Sequence, residues 1–189
     1  MADSSVRRAQ VLSLDEIAGY HKDAVSSLKS YFDESAANSN ERFFGYTPNE
    51  RAEELKTRID ETSLRSILVI LASLEASFHL DYESRCRKRR KDDLSRALRA
   101  IYRDKEERVS LDQDIFVAWK THLVASKGLI GELRSAFKLR HWLAHGRYWP
   151  PKFGRNFDFD SIFDLAVAVN EEFFQDKAEP LRSLTCAAS

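Results

Sequence analysis

Residues 64–82 read LRSILVILASLEASFHLDY. At about 100° per residue, Leu64, Ile67, Leu68, Leu71, Leu74, Phe78 and Tyr82 fall within an arc of roughly 120°, the core-facing stripe of an amphipathic helix. Glu75 lies inside that stripe, where a carboxylate must find a partner or stay protonated. Working outward, three capping boxes mark helix starts: Ser13-Leu14-Asp15-Glu16, Thr47-Pro48-Asn49-Glu50 and Ser110-Leu111-Asp112-Gln113. In each, a hydroxyl takes an orphan amide three residues on and the side chain there reaches back. The second adds proline at the first helical position, where its missing N–H costs nothing.

The pattern predicts helices from residue 14 to about 34 and from 48 to about 85, with a break near 60–63. Shorter ones follow over 94–102 and 111–123. Gly128 and Gly131 suggest a break before a helix over 129–145 with Leu129, Leu133, Phe137 and Leu143 inward and Gly146 as its stop. The last begins at the Asp158 and Asp160 turn, which suits the helix dipole, with Phe159, Ile162, Phe163, Ala166, Val169 and Phe173 inward. Five to six helices with short connections predict an all-α antiparallel bundle. It would form a single domain over residues 13–178, with flexible ends at 1–12 and 179–189.

Composition agrees. Six glycines and four prolines in 189 residues are too few for a many-turned β sandwich or barrel. The length suffices to bury roughly two thirds of the unfolded chain's surface, so neither a disulfide framework nor a structural metal is needed. Cys86 and Cys186 read as ordinary thiols. No apolar run approaches the roughly 18 residues of a membrane span and residues 1–10 lack the apolar stretch of a signal peptide, so a cytoplasmic protein is expected. Thirty basic residues balance thirty acidic ones, which argues against indiscriminate coating of nucleic acid but permits a local basic cleft.

Functional side chains are densest in Arg140-His141-Trp142-Leu143-Ala144-His145-Gly146-Arg147. On a helix, His141 and His145 share one face and Arg140 and Arg147 a neighbouring one. Histidine moves protons near neutral pH, and arginine holds phosphate oxygens in a bidentate fork, the two needs of phosphate-ester cleavage. A His-x-x-x-His pair can also chelate zinc, but the zincin form places glutamate after the first histidine, where Trp142 stands. The plainest alternative is a basic helix end that complements the dipole while Trp142 and Leu143 anchor the core.

The string Arg140-His141-x-x-x-His145 resembles the R-x4-6-H signature of the HEPN superfamily (higher eukaryote and prokaryote nucleotide-binding), in which the position after the arginine is commonly Asn, Asp or His. The wider run from Leu139 to Trp149 is similar to that of bacterial members, late in the chain on a penultimate helix. Leu74-Glu75-Ala76-Ser77-Phe78 with Asp81-Tyr82 resembles their earlier core helix. The resemblance implies a homodimeric, metal-independent endoribonuclease whose motif helices face one cleft, with tRNA or mRNA as substrate and no cofactor. It implies His145 as general acid or base, Arg140 as phosphate ligand, and His141 as orienter or second proton carrier. The products would be 2′,3′-cyclic phosphate and 5′-hydroxyl ends. It further implies a toxin or antiviral-defence role, with a nucleotidyltransferase-type antitoxin as partner. Some members keep the fold as a non-catalytic binding or interaction module, which is the alternative.

Three further features have two readings each. Glu75 either positions Arg140 or His141, or forms a salt bridge at the bundle edge with no catalytic part. Residues 85–91, six of seven basic, either hold an RNA backbone or form a solvated helix end. Arg147, Tyr148, Trp149, Lys152, Phe153 and Arg155 mix basic and aromatic groups as single-stranded RNA sites do, which nominates Arg147, Tyr148, Lys152 and Arg155 for RNA binding. Trp149 and Phe153 suit packing of the bundle end equally well. His21, His79 and His122 stand alone as surface or core-edge residues.

Overall fold

The computed structural model describes residues 11–33, 41–105, 108–123, 127–150, 153 and 156–174. Six α-helices are present among them: α1 (Leu14–Tyr31), α2 (Pro48–Lys88), α3 (Asp93–Lys105), α4 (Phe116–His122), α5 (Lys127–Ala144) and α6 (Phe159–Phe174). A 3-10 turn at Glu41–Phe43 precedes α2, and a π turn at Leu111–Ile115 leads into α4. The all-α expectation holds. Of the ends expected to be flexible, only Val11 and Leu12 are described, and the Leu12 carbonyl accepts from Ser73 Oγ at 2.8 Å.

Two capping boxes form as the sequence predicts. Ser13 Oγ accepts from the Glu16 amide while the Glu16 carboxylate accepts from the Ser13 amide, and Thr47 and Glu50 repeat the arrangement. The third differs. Ser110 Oγ accepts from the Gln113 amide at 3.2 Å, but the side chain that reaches back to the Ser110 amide is Asp114, at 2.8 Å. The turn is one residue wider than α, with the Ile115 amide reaching the Ser110 carbonyl, so the carboxylate four residues on takes the place of the one three on. Lys105 then holds Asp114 at 2.6 Å, and hydrogen bonding to Lys105 keeps this carboxyl below its ordinary range.

No break interrupts α2 at 60–63. Thr62 and Ser63 donate their hydroxyls back to the Arg58 and Ile59 carbonyls at 2.8 and 3.0 Å, so groups that compete with the helix backbone are absorbed within it. α5 likewise begins before both glycines and runs through them, because its inward residues Ile130, Leu133, Ala136, Leu139 and Leu143 are buried and packing overrides propensity.

α2 is the spine: it packs against α1, α3, α5 and α6. Ile67, Ile70, Leu71, Leu74, Phe78 and Tyr82 are buried along it, and Leu64 and Leu68 pack at the margin. A window of α2 reaches the length and mean hydropathy of a membrane span; along this stretch Ile67, Ile70, Leu71, Leu74 and Phe78 are buried in the bundle core, while Val69 and Leu80 are exposed. At its centre the Phe78 ring meets Phe116 edge-on at 5.1 Å and Phe174 at 5.1 Å, and Trp119 meets Phe173 at 4.8 Å. α2, α4 and α6 are thereby joined by one aromatic cluster, of the kind that adds to simple area burial. A smaller cluster of Phe32, Phe43 and Leu55 closes the far end of α1.

Candidate functional site

The motif helix α5 ends in a Schellman turn. The Gly146 amide reaches the Leu143 carbonyl at 3.4 Å and the Arg147 amide reaches that of Trp142 at 3.1 Å, with φ of +77° at Gly146 and +59° at Arg147. Glycine is suited to the first of these positions because it has no Cβ to clash in the left-handed region. His145 sits at the helix cap, one residue before the reversal. Trp142 Nε1 donates to the Trp149 carbonyl at 2.8 Å, folding the following chain back over the helix end.

Helical phase then sorts the four functional side chains. His141 and His145, four residues apart, are both exposed, with ring centroids 4.2 Å apart and ring planes tilted by 52°. Trp149 stands 5.8 Å from His141. Arg140 and Arg147 lie toward α2, and each meets a carboxylate there. Arg140 Nη2 is 2.5 Å from Glu75 Oε2, with the two side chains 34% and 27% exposed. Arg147 donates through both Nη atoms to Glu61, at 2.7 and 3.1 Å, and its guanidinium lies 5.6 Å from the Trp142 ring centroid. Hydrogen bonding from Arg147 keeps the Glu61 carboxyl below its ordinary range.

The candidates among the described residues fall into different places. Glu75, expected to meet Arg140 or His141, meets Arg140. Arg147, nominated for RNA, is engaged in a bidentate clamp that ties the end of α5 to α2. Tyr148 is 82% exposed and edge-on to Trp149 at 4.5 Å. Lys152 and Arg155 lie outside the described residues. Phe153 packs edge-on to Trp142 at 5.6 Å, which is the packing alternative for that ring. Glu61 was not a candidate from sequence. Its signal is phase: fourteen residues before Glu75, it falls within about 40° of it around α2.

The basic run is split by the fold. Arg85 is drawn inside: its side chain is 11% exposed, it meets the buried Asp81 at 2.7 Å and also Asp92 and Ser95, and it lies 5.1 Å over the Trp119 ring. Of the other basic residues of the run, Arg87, Lys88, Arg89 and Lys91 stay at the surface, while Arg90 is half-buried and its carbonyl accepts from Arg99. A fully solvated helix end is thus corrected for Arg85. Cys86 is half-buried and its thiol is pushed up by burial, the inert rather than the reactive direction. Cys186 lies outside the described residues.

Compared with family models, curated proteins and solved structures, the chain matches none. Two adjacent exposed imidazoles can accept and donate a proton, and a guanidinium held from behind by a carboxylate can receive an anion. Arg140 Nε is buried without a hydrogen-bond partner among the described residues and Nη2 is held by Glu75, yet a third of the side chain faces solvent. The helix C-terminus itself favours cationic groups at this place.

Proposed function

We propose that the chain is a metal-independent endoribonuclease of the HEPN kind, acting on tRNA or mRNA as a homodimer. The observation that carries this is the exposed His141–His145 pair, rings 4.2 Å apart, on the helix end that also bears Arg140. In the reaction one imidazole removes the proton of a ribose 2′-hydroxyl, and the 2′-oxygen forms a bond to the adjacent phosphorus. The bond from phosphorus to the 5′-oxygen breaks, and a protonated imidazole supplies the proton that oxygen needs. The products are a 2′,3′-cyclic phosphate and a 5′-hydroxyl. Arg140 receives the charge that develops on the phosphoryl oxygens, the kind of help worth about 10²–10³ in rate.

His145 is the principal acid or base, and His141 orients the phosphate or carries the second proton. Two exposed half-sites brought together across a two-fold axis would enclose the phosphate that one exposed surface leaves open. The cytoplasmic setting, the role as a toxin or antiviral-defence effector and a silencing partner of nucleotidyltransferase type follow from the resemblance of the motif alone.

A second reading, a non-catalytic module for RNA, nucleotide or protein, is favoured by one observation: both motif-end arginines are paired with carboxylates of the same chain. Incubating labelled total tRNA and a mixed-sequence RNA in EDTA with native protein, His145→Ala and His141→Ala separates the two. Cleavage that vanishes in His145→Ala with the fold intact supports the enzyme. RNA retained but uncut by native protein supports the module. Sedimentation tests the dimer, and a strict monomer at working concentration removes the composite site.

A further inference from the structure

A groove of about 890 Å³ lies between the C-terminal half of α2 and α3, lined by His79, Tyr82, Cys86, Arg87, Arg99 and Arg103 among others. That volume falls within the range of roughly 300–1,000 Å³ common to ligand sites. Arg89 and Tyr102 complete its rim, so four arginines line it against one carboxylate residue, Glu83. Glu83 pairs with Arg87 at 3.3 Å, both side chains more than half exposed, and such a pair is weak enough to exchange for a ligand. Arg99 is braced by donating to the Arg90 carbonyl at 2.7 Å. Among the described residues, Arg89 and Arg103 have no ion-pair partner.

The charge is local. In a chain with balanced totals, a groove carrying four arginines cannot be an effect of overall composition. It continues past Arg103 into a second concavity lined by Arg103, Asp104, Lys105 and Arg108. Arg99 and Arg103, four apart on α3, present their forks on one face. Tyr102 is 45% exposed at the rim, and the buried Tyr82 hydroxyl is pushed up to about 12 by burial, so it remains a donor. Guanidinium forks beside an exposed ring are what a single nucleic-acid strand uses: phosphates on the arginines, a base on the aromatic face.

Position links the groove to the motif. Glu75, which holds Arg140, and His79, which lines the groove, are one turn apart on the same face of α2, about 6 Å of helix rise. We infer that this groove binds the phosphodiester backbone of single-stranded RNA and guides the strand toward the Arg140 and His145 end. Its identity as RNA rests on the ribonuclease reading above; its polyanion chemistry does not.

The test is fluorescence anisotropy of a labelled, uncleavable 2′-O-methyl oligonucleotide on the full chain across a salt series. Arg99→Gln/Arg103→Gln should weaken binding at least 10-fold and lower the slope of log K against log salt by about 1.4, at roughly 0.7 per phosphate contact on a single strand. Arg87→Gln/Arg103→Gln, which leaves the Arg99 brace in place, should do the same and guards against loss of fold. Native affinity and native slope in both variants would overturn the inference. Displacement of the oligonucleotide by polyglutamate at equal charge would also overturn it, assigning the groove to an acidic protein. Tight, groove-dependent binding with no cleavage of ordinary RNA would sink the enzyme and spare the groove; cleavage unaffected by either double variant would do the reverse.

Discussion

Replacing Glu75 by glutamine removes the charge that holds Arg140 while keeping the side chain's size. Arg140 Nη2 and Glu75 Oε2 are 2.5 Å apart, with 34% and 27% of the side chains exposed. About a third of the pair faces water, so its coupling is that of a screened surface pair, about 1 kcal/mol, rather than the roughly 3–5 kcal/mol lost on breaking a buried one. In a chain of this size that corresponds to a fall in melting temperature of about 2–4 °C. The effect on turnover should be larger, because Arg140 would be free to drift by about an ångström, enough to cost on the order of 10- to 100-fold in kcat with little change in KM. Cleavage kinetics and melting curves on Glu75→Gln, Arg140→Gln and the double variant form a cycle. If Glu75 acts through Arg140, the double variant cleaves no more slowly than Arg140→Gln alone. Losses that multiply would refute this positioning role, and faster cleavage by Glu75→Gln would show that the carboxylate competes with the phosphate.

Gly146→Ala should lower stability by about 1 kcal/mol, through φ of +77° alone because an added Cβ meets nothing within 4 Å, and should slow cleavage by shifting the His145 cap; thermal melting and kinetics check both. Phe78→Ala, at a fully buried ring in contact with α4 and α6, should cost about 3–5 kcal/mol in chemical denaturation. His21 stacks on Phe159 at 3.8 Å and meets Ser66 at 3.0 Å, and burial lowers its pKa against a smaller opposing pull from Asp160. The unfolded chain therefore takes this proton first, so stability is full above about pH 6.5 and falls as the pH drops through the folded value. Melting temperature against pH should fall more steeply below 6.5 for the native protein than for His21→Gln; parallel curves would contradict the assignment.

The spine of the fold was legible because its signal is periodic. Ile67, Leu71, Leu74, Phe78 and Tyr82 repeat at helical spacing, and a repeat survives without knowledge of what it packs against. The expected break at 60–63 failed because Thr62 and Ser63 spend their hydroxyls inside the helix, a choice between two local hydrogen bonds that sequence does not rank. Asp114 displaced Gln113 for a related reason, since a single π turn moves the returning side chain by one residue. At the site, a carboxylate inside an apolar stripe announced that Glu75 needed a partner. The clamp between Arg147 and Glu61 left no such mark, because it joins exposed-type residues 86 positions apart. Arg85 shows the same limit: six basic residues in seven read as one solvated run until the buried Asp81 takes one of them inside.

The most direct measurement uses an RNA oligonucleotide cut by the native protein in EDTA, remade with a single 2′-deoxy sugar on the 5′ side of the mapped linkage. If the site works as described, the all-RNA strand gives 2′,3′-cyclic phosphate and 5′-hydroxyl ends by mass spectrometry, the substituted linkage stays intact, and His145→Ala cuts neither. Cleavage at the 2′-deoxy linkage, or native-rate cleavage by His145→Ala, would contradict it.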